Sequence, residues 1–493
     1  MKTFCGIDLG TQSCKIVLYD YKKKSIIETA QVPIDMIAAN DGTREQKAEW
    51  YREALKSSFG ELNKTAKNTI AALGVSGQQH GFVALDAKGK SLYNVKLWCD
   101  TSTREECEEL TKAAGGEAAL IKAAGLPMRP GYTAPKVLWL KKHRPKAFAA
   151  LAHICLPHDY VNFLLTGKYS AEYGDASGTA LFDVRKRRWS EKVCRCIDPR
   201  VYGCLPPLIA PGGAAGTVCA AAAGEYGIPE GALVAAGGGD NMMSAIGTGT
   251  VRDGFLTMSL GTSGTLFGFA DKPVIDPAGN LAAFCSSSGG WLPLLCTMNC
   301  TVASEEFRGL FGMDVKSFDA EAAKAPIGAE GVAVLPFFNG ERSPNLPGAK
   351  ASVNGITGAN FKKQNIARAV MEAAIFGMRI GLENFSKLGF RAKEIRLTGG
   401  GSKSQLWQNI AANVMNLPVR IPAASEAAAM GGVIQAIWTL EGGRKTIETL
   451  TDAHVSLERG TVIKPDPKSV KACNKAYEVY SRYLGALGPL YLR

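Results

Sequence analysis

Long apolar runs are missing from this chain. None approaches the roughly 18 consecutive apolar residues that a membrane-spanning helix needs, which sets integral membrane proteins aside. The opening Met1-Lys2-Thr3-Phe4-Cys5-Gly6-Ile7-Asp8 enters a strand-like run at once, without the apolar region and small-residue cleavage site of a secretory signal, so a cytosolic protein is expected. Histidine is scarce, at five residues, and the nearest cysteine groupings, Cys194-x-Cys196 and Cys296-x-x-x-Cys300, match no zinc ribbon. The thirteen cysteines are odd in number and scattered from Cys5 to Cys473, and read as buried reduced thiols rather than a disulfide framework. Neither GxGxxG nor GxxxxGK[ST] occurs, which removes the Rossmann and P-loop nucleotide sites.

What is present describes a large globular chain. Its 493 residues, 46% hydrophobic and 21% charged, can bury sizeable cores and are expected to form two to four compact units at roughly 100–200 residues each. The net charge of +12 lies in short pieces at 22–24, 141–144 and 185–188 without interleaved aromatics. That pattern describes a solvated face, excludes a nucleic-acid partner, and leaves room for steering of anionic small molecules. Glycine is plentiful, at 55 residues, and its clusters carry the information.

Residues 3–8 and 15–20 read as strands of a hairpin around Gly10-Thr11-Gln12-Ser13, with a third strand at 25–32. A helix is expected over 46–62, a buried strand at 69–76, a strand at 81–85 and a helix from Asp100. A similar programme restarts at 254–259, turns at Gly261-Thr262-Ser263-Gly264-Thr265 and returns at 266–269. A long helix over 365–388 carries Ile366, Val370, Ala374, Gly377 and Ile380 on one stripe. A strand at 394–398, a helix from Ser404 to Asn416, a helix over 425–440 and a last helix over 467–484, capped by Asp466, complete the chain. Two strand–turn–strand units about 250 residues apart imply an internal duplication, with each half α/β and the join near 247–254.

Five segments bear chemistry. In Asp8-Leu9-Gly10-Thr11-Gln12-Ser13 an acid ends a buried strand, so the turn can offer N–H groups and hydroxyls to phosphate, while Asp8 can hold Mg²⁺ directly or through water; an ordinary hairpin is the plainer alternative. Ser259-Leu260-Gly261-Thr262-Ser263-Gly264-Thr265 is its counterpart, and two such turns facing one another would grip a polyphosphate. Gly237-Gly238-Gly239-Asp240-Asn241 places an acid where a phosphoryl acceptor's proton can be taken, unless Asp240 merely caps the next helix. Leu397-Thr398-Gly399-Gly400-Gly401-Ser402 offers bare backbone to a flat base or a phosphate. Gln78-Gln79-His80-Gly81 with Trp98-Cys99-Asp100 is a palette for sugar hydroxyls and a sugar face, although a lone His80 could be a core histidine.

Together these segments resemble the actin-like ATPase superfamily and, within it, the FGGY carbohydrate kinases. Both signatures of that family are present, in residues 131–143 and from Ala351 to Glu372, and the resemblance covers essentially the whole chain. It implies a duplicated actin-like (ribonuclease H-like) α/β fold of two domains, 1–247 and 248–493, with a catalytic cleft between them. It implies Asp240 as catalytic base, Asp8 as the acid associated with Mg²⁺–ATP, Thr11, Gln12, Gly261 and Thr262 at phosphate turns, and Gly400, Gly401 and Ser404 on the adenine side. Gln79 and His80 match the sugar-contact pair, with Trp98, Asp100 and Asn241 nearby. Gly77-Gln78-Gln79-His80-Gly81, Leu156-Pro157-His158-Asp159-Tyr160 and Asp175-Ala176-Ser177-Gly178-Thr179 look like segments of the members that transfer a phosphoryl group from ATP to O5 of D-xylulose. Gln79 and Cys99 stand where Met and Asn are usual, and Ser102 where Arg is, which keeps ribulose, fuculose and glycerol open as acceptors. A homodimer is implied. An actin-like ATP-driven switch protein is the remote alternative.

Overall fold

The computed structural model describes residues 2–424, 426–458 and 462–491. Its chain divides into two compact units that interleave in sequence. The first is Met1–Arg252 with Phe269–Leu292 and Glu426–Val455, and the second is Asp253–Gly268, Pro293–Ser425 and Ser456–Arg493.

The first unit is built on a mixed sheet. Thr3–Leu9 pairs antiparallel with Ser13–Asp20, which pairs antiparallel with Ser25–Pro33. On its other side Thr3–Leu9 runs parallel to Ile70–Gly77, which runs parallel to Leu233–Ala235. Thr3–Leu9 and Ile70–Gly77 read as near-continuous buried runs because both their faces are covered, as central parallel strands require. The helix Ala48–Glu61 turns Tyr51, Leu55, Ser58 and Phe59 inward at helical spacing and packs on the outer hairpin strands.

The second unit repeats the same core. Phe255–Leu260 pairs antiparallel with Gly264–Gly268, and that strand with Trp291–Thr297. Phe255–Leu260 also runs parallel to Glu394–Thr398, which runs parallel to Val419–Arg420. The shared order, three antiparallel strands followed by two parallel ones, bears out the duplication and the α/β class.

Three expectations shift in detail, and one short strand is added. The helix expected from Asp100 spans Arg104–Ala113, because the Asp100 carboxylate takes the backbone N–H of Arg44 and of Ser102 and bends the chain first. The single stripe on the long helix gives way to burial all round over its first half: Lys363–Lys387 is enclosed from Asn365 to Phe376, and Arg368 pairs with Glu372 at 2.6 Å inside that sheath. Gly238–Gly239 forms a short strand on Ile70–Gly77. The helix expected over 425–440 spans Ala427–Glu441, and Ser425 lies outside the described residues. The last helix, Pro467–Leu487, starts as expected, with the Asp466 side chain accepting from Ser469 N at 2.8 Å. All thirteen cysteines are free thiols.

The close contact that places the site involves glycine. Ala427–Glu441 lies on Thr3–Leu9, on Ile70–Gly77 and on the helix Asp240–Thr248. A Cβ at Gly6 would stand 2.0 Å from the Ala429 carbonyl oxygen, one at Gly74 2.1 Å from that of Gly432, and one at Gly431 1.9 Å from that of Met243. Backbone therefore rests on backbone, and any side chain would part the layers. Gly431→Ala should destabilise the protein by at least ~1–3 kcal/mol, read as a lowered melting temperature by calorimetry. Gly485→Ala is the matched control: its Cβ would meet nothing within 4 Å in the helix Pro467–Leu487, so that variant should hold or raise the melting temperature.

Candidate functional site

The ends of three neighbouring strands bring the first cluster together. Register sets Asp8 opposite Lys15 on one side and Ser76 on the other. Gly239 stands opposite Gly77, so Asp240 emerges at the same sheet end. Asp8 Oδ1 accepts from Ser76 Oγ at 2.8 Å. Burial raises the Asp8 carboxyl to about 6 against the lowering pull of Ser76 and Lys15, while Glu426 adds to the rise. Lys15 itself is paired with Glu426.

Asp240 is the first residue of the helix Asp240–Thr248, and its cap is Gly239, with no side-chain cap bond. The plainer reading of Asp240 as a helix cap therefore does not hold. Its Oδ1 instead accepts from Asn241 N at 2.7 Å and Asn241 Nδ2 at 3.0 Å. Burial, then the negative charges of Asp8 and Asp175, push its carboxyl up to about 7, against the Asn241 N–H. Gln435 locks the approach to this residue: its amide donates to Gly237 O and accepts from Gly237 N, both at 2.8 Å.

Gln79 and His80 lie beside this acid. Gln79 Oε1 accepts from Asn241 Nδ2 at 2.6 Å, and its Nε2 donates to Met242 Sδ at 3.2 Å. His80 has φ +62°, a left-handed conformation that costs a non-glycine residue ~1–3 kcal/mol and persists where the surroundings enforce it. The enforcement is visible: the His80 carbonyl accepts from Lys136 Nζ at 2.7 Å and Thr133 Oγ1 at 3.2 Å. Its ring lies edge-on to Tyr132, with centroids 5.2 Å apart, and tilted against Phe284 at 5.4 Å. A Cβ at Gly178 would fall 1.9 Å from His80 Cε1. Lys136 is fully buried, donates also to Gly131 O at 2.8 Å, and has its pKa lowered by burial to about 7.

Trp98 and Asp100 are placed differently from Gln79 and His80. Trp98 Nε1 donates to Thr11 Oγ1 at 3.0 Å, and that hydroxyl donates to Gln78 Oε1 at 3.2 Å, so the indole braces the first turn. Gln78 is held in turn by Gln46, whose amide also takes the Thr11 carbonyl at 2.8 Å. Gln12 is exposed, and its carbonyl accepts from Ile34 N at 2.8 Å. Both Asp100 oxygens serve the protein itself, accepting from Arg44 N, Ser102 N, Ser102 Oγ and Lys96 Nζ at 2.6–3.3 Å. Lys96, also buried, reaches Glu45 at 3.0 Å and lies 4.0 Å from the Trp139 ring centre.

Three residues without a predicted role complete the first cluster: Asp175, His158 and Asp159, all buried. His158 Nδ1 lies 3.1 Å from Asp175 Oδ2 and its Nε2 lies 2.9 Å from Asp159 Oδ1. The signal for them was present in the two segments Leu156–Tyr160 and Asp175–Thr179, read as likeness without a role for any one side chain.

In the second unit, Gly261 and Thr262 form the turn between Phe255–Leu260 and Gly264–Gly268. Their carbonyls accept from Thr301 N at 3.0 Å and Cys300 N at 3.1 Å, which ties the turn to the start of the helix Thr301–Phe311. Gly399, with φ +84°, and Gly401 press on Leu260, where their Cβ atoms would come within 2.6 and 2.9 Å. A Cβ at Gly400 would meet nothing within 4 Å. The Ser404 hydroxyl caps the helix Gln405–Met415, accepting from Trp407 N at 3.4 Å.

Comparison with known proteins fits this picture. The FGGY family of carbohydrate kinases matches residues 3–247 through its N-terminal domain and residues 256–440 through its C-terminal domain. A xylulose kinase from Haemophilus influenzae is 42% identical over 497 residues, covering 99% of this chain and all of its own. The crystal structure of a xylulose kinase from Bifidobacterium adolescentis matches with a TM-score of 0.82 at 28% identity, over 98% of this chain and 99% of that one. The structure of a gluconate kinase from Lactobacillus acidophilus reaches a TM-score of 0.92 at 23% identity over 99% of each chain, a likeness of fold alone. Two family domains spanning most of the sequence, and a full-length relative at this identity, show that the chain belongs to the FGGY family of carbohydrate kinases.

Proposed function

We propose that this chain transfers the γ-phosphoryl group of ATP to O5 of D-xylulose, with Asp240 as general base. The observation that carries the proposal is the Asp240 carboxyl at the sheet end it shares with Asp8, raised to about 7 and bonded to Asn241, which bonds Gln79. A base poised there is ionised often enough to accept a hydroxyl proton and basic enough to keep it through the transfer. The full-length likeness to xylulose kinases supports the choice of sugar. The remaining acceleration comes from positioning and from charge stabilisation of the transferred group, as phosphoryl transfer requires.

In this reading His80, Gln79 and Asn241 hold the ketose, and Trp98 acts through Thr11, which it braces. Asp100 acts as a support for the same region through Lys96 and Arg44. Thr11, Gln12, Gly261 and Thr262 receive phosphate oxygens, and Gly400, Gly401 and Ser404 serve the adenine side, with Ser404 through its helix cap. Asp8 would hold Mg²⁺, directly or through water. The fit is sound: Asp8 is a carboxylate whose burial the chain offsets only in part, with one oxygen committed to Ser76. When bound, the ion supplies positive charge to the phosphates. The family domains, matching 3–247 and 256–440, support 1–247 and 248–493 as the two halves. A cytosolic homodimer is part of the proposal. Among the described residues no helix is long and apolar enough to cross a membrane, and thirteen free thiols suit a reducing compartment.

Coupled ADP release tests the substrate. With Mg²⁺–ATP, D-xylulose should turn over at least tenfold more efficiently than L-xylulose, ribulose, L-fuculose or glycerol. Preference for one of these overturns the choice of sugar and leaves sugar phosphorylation in place. Asp240→Asn should lower kcat by ~10²–10⁴-fold while ATP affinity, measured by calorimetry, stays within twofold. Near-normal turnover in that variant would remove the base assignment. Because the Asp240 carboxyl is raised to about 7, its basic form is lost as pH falls through that value. The kcat/KM for sugar should therefore climb tenfold per unit below pH 7 and level off above it, measured as initial rates from pH 5 to 9.

A further inference from the structure

Four side chains at the base form a relay of hydrogen bonds whose direction is forced. Asp240 Oδ1 accepts from Asn241 N at 2.7 Å and from Asn241 Nδ2 at 3.0 Å. Asn241 Nδ2 donates also to Gln79 Oε1 at 2.6 Å, and Gln79 Nε2 donates to Met242 Sδ at 3.2 Å. The two ends of the relay are an ionised carboxylate and a thioether, which accept and do not donate. An amide has one accepting and one donating end, so its partners decide how it is turned. Asn241 turned over would set its carbonyl oxygen against Asp240 Oδ1. Gln79 turned over would set N–H against N–H at Asn241 and carbonyl oxygen against sulfur at Met242. One arrangement satisfies all four groups.

Packing leaves Gln79 no second position. It is 5% exposed, and a Cβ at Gly239 would fall 2.7 Å from its Cγ, so its stem lies on bare backbone one residue before the base. Asn241 and Met242 are consecutive in the first turn of the helix Asp240–Thr248. Both ends of the Gln79 amide therefore grip the helix that carries Asp240. Among the described residues nothing donates to Asp240 Oδ2, and Asp240 is only half-buried.

We propose that Gln79 is a positioning residue for the general base: by accepting from Asn241 Nδ2 it fixes that amide against Asp240 Oδ1, and so leaves Oδ2 as the oxygen that takes the proton. The inference rests on the reading of Asp240 as the base, and deepens it by assigning the reacting oxygen and the groups that aim it. Two donors on Oδ1 hold the plane of the carboxylate and lower the affinity of that oxygen for a proton. In the transfer the acceptor's O–H bond breaks as its oxygen bonds to the γ-phosphorus. The bond from that phosphorus to the departing ADP oxygen breaks, and the proton passes to Oδ2. A carboxylate free to rotate would meet the hydroxyl in reactive geometry less often. Gln79 thus acts on the rate of transfer through Asn241, apart from its hold on the ketose.

Single-turnover rates at saturating D-xylulose and Mg²⁺–ATP separate this role from sugar binding. Gln79→Met keeps the length of the side chain and replaces the amide with a weak acceptor. It should slow phosphoryl transfer about tenfold, the loss of one hydrogen bond, and leave the KM for ATP within twofold. Asn241→Ala should slow transfer at least as much. The double variant should match Asn241→Ala within twofold, because Gln79 acts through Asn241. A Gln79→Met enzyme that transfers at the parent rate overturns the proposal, and so does a double variant slowed by the product of the two losses. NMR of the side-chain amides in the intact protein tests the relay even where a variant does not fold. The Asn241 amide, assigned through its own backbone resonances, should exchange its hydrogens with water at least tenfold more slowly than that of exposed Asn40. Equal exchange overturns the proposal. The parent reading fails differently: near-normal turnover in Asp240→Asn removes the base, whatever Gln79 does.

Discussion

The helix Ala427–Glu441 rests on its neighbours through bare backbone, and the first unit's chemistry depends on that contact. Gly6 and Gly74 on the sheet, and Gly431 and Gly432 on the helix, let main chains touch where side chains would hold them apart. Dispersion at this distance is strong because many atoms meet at once, and it is lost steeply when a methyl group intervenes. The same helix carries Gln435, whose amide fixes both polar groups of Gly237 three residues before Asp240. One late segment of the chain therefore sets the height of the Asp240 helix above the strand that carries Asp8. It joins residues more than 180 positions apart into one rigid support.

Within that support the carboxylates differ in their partners. Asp100, Glu45, Asp159 and Asp175 each have a buried cation in reach, Lys96 for the first two and His158 for the others. Their charges are answered inside the protein, and removing either partner would strand the other in a low-dielectric interior. Asp8 and Asp240 differ. The charges that act most strongly on Asp240 are other carboxylates, and Asp8 remains raised despite Lys15.

Much of this was legible in the sequence, for physical reasons that also explain the rest. Asp8 and Asp240 stood out because an acid at the end of an apolar strand, beside glycine, has few structural uses. The duplication was legible because each hairpin turn is local and its residues are contiguous. Asp466 announced its helix through the cap alone. Asp175 and His158 stayed without a role because their partnership joins separate segments, and nothing local marks a buried ion chain. Asp100 is tied to Arg44, 56 residues away, and nothing in its local pattern signals that bond. The stripe on Lys363–Lys387 was a sound reading of period, but a helix sheathed on all sides buries its charged pair as well, and only packing reveals that.

The duplication also shows what a phosphate turn does and does not require. Asp8 stands opposite Lys15 and Ser76; at the same place in the second core Ser259 stands opposite Thr265 and Thr398. The backbone path of the two hairpins is shared, while the acid and the lysine occur once. Phosphate oxygens are bound by amide hydrogens and hydroxyls, which any Gly/Thr turn can offer, so that function tolerates repetition. A buried carboxylate is costly, and a second one near the polyphosphate would repel it. A carboxylate gains only where a cation must be held or a proton taken, the two tasks proposed for Asp8 and Asp240 at one sheet end. The two cores thus share a turn, and in the proposed reading the acid at that turn belongs to the half that also carries Gln79, His80 and Asn241.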